Sequence, residues 1–180
     1  MRCALQIFIV FSVIGCSAGY RPNRDSSSLA SSKLSAPERA FLLDLADSMR
    51  GQSEICQVAA EKAQNRQIAE FAKNFEDDAK PIRQRALKLL ADNQLKDTDE
   101  PPPKAVQQMT ELRSLSGPDL DRTYIAAAIR ELLLDISRCE TQVRDGADAQ
   151  VKTFARDTLP VLHKQLDEAQ RISASLPAAK

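Results

Sequence analysis

Six apolar residues, Ile125, Ile129, Leu132, Ile136, Cys139 and Val143, recur at steps of four and three along one stretch of the chain. In an α-helix that spacing gathers all of them on one face, whereas in a strand it scatters them over both. A helix with such a stripe is stable only when the stripe is covered, and the chain supplies three more stripes to cover it. Leu42, Leu45, Met49, Cys56, Ala59 and Ala63 form one. Ile68, Phe71, Phe75, Ile82, Ala86 and Leu89 form the second, and Val151, Phe154, Ala155, Leu162, Leu166 and Ala169 the third. Aromatics make up only 4% of residues and glycines number 5, so the vocabulary of sheets is thin and that of helices dominates.

The punctuation between stripes sets the connectivity. Ser35-Ala36-Pro37-Glu38 has an N-cap Ser, Pro in the first turn and Glu at the third position, a helix start. Asn65 suits a turn and the next cap, and Asp148 does the same for the last helix. Asp145-Gly146 closes the stripe that runs from Ile125 to Val143, glycine being favoured just past a helix end. Ser116-Gly117-Pro118-Asp119 repeats the capping logic of the first helix. Pro81 and Pro160 fall inside helices and predict kinks. From about residue 92 to 117 the pattern lapses into a connector containing Pro101-Pro102-Pro103, with Val106, Met109, Leu112 and Leu115 marking a short helix laid on the bundle. Each long helix of roughly 28 residues is about 42 Å, and the connector can span about 50 Å. The expectation is an all-α domain over residues 36–175: a four-helix bundle with one long crossover connection, as in ferritin-like folds.

Ahead of the domain, Arg2 is followed by an apolar run from Cys3 to Ile14, too short to span a bilayer and suited to a signal peptide over residues 1–15. The run ends in Val13-Ile14-Gly15-Cys16, which resembles the bacterial lipobox. That resemblance implies lipid on the Cys16 thiol and cleavage so that Cys16 becomes the first residue. Ser17 behind it implies release to the outer membrane. The alternative is an ordinary signal peptide cut near Ala18, with Cys16 discarded. Residues 16–35 are Ser-rich and lack apolar periodicity, as expected of a flexible, lipid-anchored tether.

Phe71-Ala72 followed by Asp77-Asp78, then Leu120-Asp121-Arg122-Thr123-Tyr124, then Leu159-Pro160 with Ala169, occur in an order and spacing similar to a bacterial family of unknown function described as outer membrane proteins with a ferritin-like bundle. The similarity runs from about Phe41 to Ile172. The departures carry information. Where the family has a Glu in the first helix and one His in each of the other three, this chain has Gln52, Ala79, Leu132 and Gln165. Gln52 and Ala79 are equidistant from the turn near Asn65, and Leu132 and Gln165 from the turn near Asp148, which predicts one layer at one height. A carboxylate and three imidazoles there would form a metal site; two amides, a methyl and an isobutyl group would not. The expectation is therefore a degenerate member with no metal site and no cofactor.

Other reactive groups are few. His163, the only histidine, falls on a solvated face. Asp77 and Asp78 are adjacent on a helix and point about 100° apart, which does not suit acid–base work across one bond. An interhelix ion pair, with Arg122 as one partner, is their expected role. Lys and Arg number 25 against 25 Asp and Glu, so nothing favours nucleic acid. The leading reading is a non-enzymatic envelope lipoprotein, periplasm-facing on the outer membrane, whose bundle is a binding or structural module for an unknown envelope protein or wall component. The alternatives are a ferritin-like metal or redox stress protein using Asp77, Asp78, Glu131 and Asp135, and a thiol-based sensor using Cys56 and Cys139.

Overall fold

The computed structural model describes residues 33–97, 100 and 102–177, which form five α-helices and no strand. The signal peptide expected over 1–15, the lipidation site Cys16 and nearly all of the tether expected over 16–35 lie outside the described residues. The helices are α1 (Ala36–Lys62), α2 (Arg66–Asp92), α3 (Pro103–Ser114), α4 (Gly117–Asp145) and α5 (Ala149–Ser175). The long helices α2 and α5 run on through Pro81 and Pro160.

Local chemistry accounts for most helix ends. Ser35 and Glu38 form a reciprocal capping box at the start of α1. Asn65 accepts from the Gln67 N–H, and Asp148 from those of Gln150 and Val151. Two ends differ from the sequence expectation. Ser116 makes no side-chain cap bond; the chain instead turns into α4 through Gly117 at φ 58°, a left-handed conformation that glycine adopts without a Cβ clash. Gly146 has φ −63°, so it serves by size instead of by handedness: a Cβ there would lie 2.1 Å from the Gln142 side chain.

Cross-helix bonds reveal the directions. Gln57 donates to Glu76 at 3.0 Å across the α1–α2 hairpin. Ser48 Oγ donates to Asp135 at 2.7 Å, and Cys56 Sγ meets the Tyr124 hydroxyl at 3.3 Å. As residue numbers rise along α1 they fall along α4, so these two helices are antiparallel. Arg85–Asp157 at 2.8 Å and Gln165–Asp78 at 2.5 Å establish the same for α2 and α5. The two hairpins α1–α2 and α4–α5 thus lie side by side, and α2 ends at the far end from where α4 begins. Residues 93–116 must travel that length, with α3 lying across α1 on the way. The crossing is close because residue 51 is glycine: a Cβ on Gly51 would lie 2.8 Å from that of Ala105. Val106, expected on the covered face of α3, is 43% exposed and Ala105 is buried in its stead, while Leu112 is buried as expected.

The four apolar stripes meet inside. Phe41 packs against Phe154, and Phe71 against both Phe75 and Tyr124, with ring centroids 5.8–6.2 Å apart. Burying each such side chain stabilises the fold by roughly 1.5–3 kcal/mol. The hairpin turns are held by carboxylates from other helices. Glu38 of α1 accepts from the N–H groups of Ala147 and Asp148, and Asp121 of α4 accepts from those of Gln64 and Asn65. Both carboxylates are buried, and they satisfy backbone donors that short turns leave open.

Candidate functional site

Gln52, Ala79, Leu132 and Gln165 are all buried, at 4%, 0%, 0% and 0% exposure. The Ser48–Asp135 and Gln165–Asp78 bonds put them at similar heights in their four helices. The Gln165 amide nitrogen donates to Asp78, while its oxygen is enclosed without a partner among the described residues. Two neutral amides, a methyl and an isobutyl group do not fit a transition metal, which prefers imidazole, thiolate or carboxylate donors. Among the described residues no group of three or more His, Cys, Asp or Glu is placed to hold a metal ion.

The expected pairing of Asp77 and Asp78 with Arg122 does not form. Arg122 bonds Asp119 within its own helix at 2.5 Å, and Asp77 forms an ion pair with Lys80 within its own at 3.6 Å. Asp78 does reach another helix, but it is α5, through Gln165 and through Lys164 at 3.8 Å. The reason is height: Arg122 follows Asp121, which caps the turn at Asn65, whereas Asp78 lies thirteen residues, about 20 Å, along α2 from that turn. His163 is exposed, as its position on the helix implied.

Two acids that the sequence named only as metal-ligand alternatives have structural partners. Glu131 receives a hydrogen bond from Lys104, tying α4 to α3. Asp135 is 1% exposed; burial pushes its pKa up to about 6, against the opposing hydrogen bonds from Ser48 and Arg138. Nothing in the apolar periodicity marks Asp135, because it sits one residue before Ile136 at the edge of the stripe. The cap role of Asp121 is likewise invisible locally, since its partners lie 56 and 57 residues away.

Cys56 and Cys139 are free and buried. Burial pushes each thiol up to about 12, so neither is a thiolate near neutrality, and a thiolate is what a reactive sensor requires. Cys56 lies at the height of Tyr124, and Cys139 is fifteen residues, about 22 Å, further along α4. A disulfide needs a Cα separation of about 4.4–6.8 Å. Thiol counting on unfolded, unreduced protein will find both free. A Cys56–Cys139 bridge would overturn the antiparallel pairing of α1 and α4.

A surface recess of about 210 Å³ opens where α3 crosses α1 and α4. Its lining includes Asp44, Gln52, Ile55, Lys104, Gln108 and Glu131. The crossover helix creates it, because α3 covers α1 at Gly51 and Ala105 while Lys104 fastens α3 to α4. The sequence placed Gln52 in the buried layer; the structure shows that it also borders this recess.

Residues 23–172 match the family described as "Domain of unknown function (DUF4142)". No curated protein matches the chain. Among solved structures, a DUF305 fragment from Deinococcus radiodurans superposes with TM-score 0.70 at 12% identity, covering 79% of this chain and 99% of that one. A DUF305 protein from Streptomyces coelicolor, named as a candidate secreted protein, gives 0.67 at 14% identity, covering 80% and 96%. A conserved hypothetical protein from Mycobacterium tuberculosis gives 0.59 at 10%, covering 81% and 96%. At such identities the likeness concerns the helical fold alone.

Proposed function

The chain belongs to the DUF4142 family, a domain of unknown function, and on that footing we propose that it is a lipid-anchored protein of the bacterial envelope whose helices act as a binding module and not as an enzyme. The antiparallel hairpins joined by one full-length crossover support a ferritin-like four-helix bundle as its architecture. The observation that carries the non-enzymatic reading is the buried layer of Gln52, Ala79, Leu132 and Gln165. Ferritin-like chemistry is done by carboxylates and imidazoles projecting inward at one height, and here that height is occupied by amides and hydrocarbon. The shared thiol shift to about 12 argues against redox sensing as well.

The envelope location rests on the lipobox-like Val13-Ile14-Gly15-Cys16 and on the Ser-rich stretch that follows. Ser17 favours the outer membrane, with the bundle facing the periplasm. No helix among the described residues is long and apolar enough to cross a membrane, and the proposed attachment is the lipid on Cys16. Expressed with its own leader, wild-type protein will incorporate labelled palmitate and sediment with membranes. Cys16→Ser will do neither and will retain its leader. Soluble wild-type protein with an N-terminus beyond Cys16 would reject the anchor.

A further inference from the structure

Among the described residues three large hydrophobic side chains stand exposed, and two of them, Leu133 and Leu134, are neighbours on α4 at 49% and 46%. At about 100° per residue they share an arc of about 120° with Ala126, Arg130, Ser137 and Glu140, all of them exposed. The helices α1 and α5 pack on the other side of α4, where Tyr124, Leu132 and Cys139 are buried. A lone surface leucine is ordinary, so the leucine pair acquires meaning only from the charges on the same arc.

Those charges are unmatched within the chain. Among the described residues the ion pairs of α4 are Arg122–Asp119, Arg138–Asp135, Arg144–Asp145 and Glu131–Lys104; Arg130 and Glu140 take part in none. Arg144 attracts Glu140 at longer range, but its guanidinium is held by Asp145 at 2.9 Å. The order along the exposed face is therefore positive, apolar, negative: Arg130, the leucine pair with Ser137, then Glu140. Ten residues, about 15 Å, separate the two charges. This order complements itself in one arrangement. A second copy of α4 laid antiparallel, with the two-fold axis level with residue 135, brings each Arg130 to the other copy's Glu140. It also sets each Leu133 over the other copy's Ser137, a large side chain against a small one. A parallel copy would bring like charges together.

We propose that this face of α4 is an isologous, antiparallel homodimer interface, with Leu133 and Leu134 at its centre and two Arg130–Glu140 pairs at its ends. One face of one helix buries less than a permanent dimer needs, so the association is reversible, with a Kd of about micromolar to millimolar. The inference goes beyond the binding-module reading and requires neither lipid on Cys16 nor an outside ligand.

The full chain in mild detergent, with or without lipid, is followed by sedimentation equilibrium over a concentration series. A monomer–dimer equilibrium that weakens with added salt is expected. Arg130→Glu and Glu140→Arg, both at exposed positions, will each weaken self-association about tenfold or more, because each turns two attractions into two repulsions. The two variants carry charges matched to one another. Mixed in equal amounts they will recover the dimer, as will the double variant by itself, a result that damage to the fold cannot produce. Leu133→Ser will weaken the dimer about tenfold with every charge in place. Wild-type protein monomeric up to about millimolar concentration would overturn the proposal. So would a dimer indifferent to both charge reversals, or one that mixing fails to restore. A monomer whose Ser137→Cys label is reached by a quencher carried on lipid would hand this face to the membrane and overturn it as well.

Discussion

Leu132→Ala will destabilise the domain by about 2–5 kcal/mol, the largest effect expected of any single truncation in the buried layer. Leu132 is 0% exposed and sits between Ile125 and Ile136 on the inward stripe of α4. Removing three carbons takes away their transfer free energy and leaves a cavity that helices pinned at both ends cannot close. Those pins are Asp121 on the α1–α2 turn and Glu38 on the α4–α5 turn. For a domain of this size the loss corresponds to a fall in Tm of roughly 6–20 °C. Urea unfolding monitored by circular dichroism measures it directly. A change below about 0.5 kcal/mol would place Leu132 at the surface and remove the basis for the layer.

Acid will weaken the fold through Glu38. Burial raises its pKa, but hydrogen bonds from the Asp148 N–H, the Ser35 side chain and backbone and the Ala147 N–H outweigh this and hold it at about 2, below the ordinary 4.5. A carboxylate whose folded pKa is depressed adds stability above its unfolded pKa. That stability is lost as pH falls through the window from about 4.5 to about 2. The shift corresponds to about 3 kcal/mol in full. Glu38→Ala will therefore cost about 2–4 kcal/mol at pH 7, counting the Ala147 and Asp148 donors left without their acceptor. The difference between variant and wild type will shrink as pH approaches 2. Denaturant unfolding at a series of pH values checks this, and a constant difference from pH 7 to pH 2 would refute the role given to Glu38.

Glu38 also marks the limit of what local patterns disclose. Its capping-box role was legible because both partners lie within three residues. Its second role, on a turn 109 residues away, has no local signature. Asp121 teaches the same lesson from within a recognisable motif, Leu120-Asp121-Arg122-Thr123-Tyr124. The neighbouring Arg122 is the residue expected to bridge helices, but it is Asp121 that locks a turn, and Tyr124 fills the core beside Cys56. Gly146 was identified correctly as a helix terminator, although the reason is the room that Gln142 needs and not a left-handed backbone. Ser116 has the residue type of a cap without its bond, because Gly117 takes the turn.

The sequence by itself determined the helices and their inward faces, since periodicity and caps act within a few residues and the stripe residues cannot remain in water. It also placed Gln52, Ala79, Leu132 and Gln165 on inward faces, where all four are buried. Only the tertiary structure decided which charges meet. An ion pair depends on height and on which helices are neighbours, quantities set by the crossover and the packing of whole stripes. The recess belongs to that second class. Gln52 borders it because α3 passes over α1 at the neighbouring Gly51.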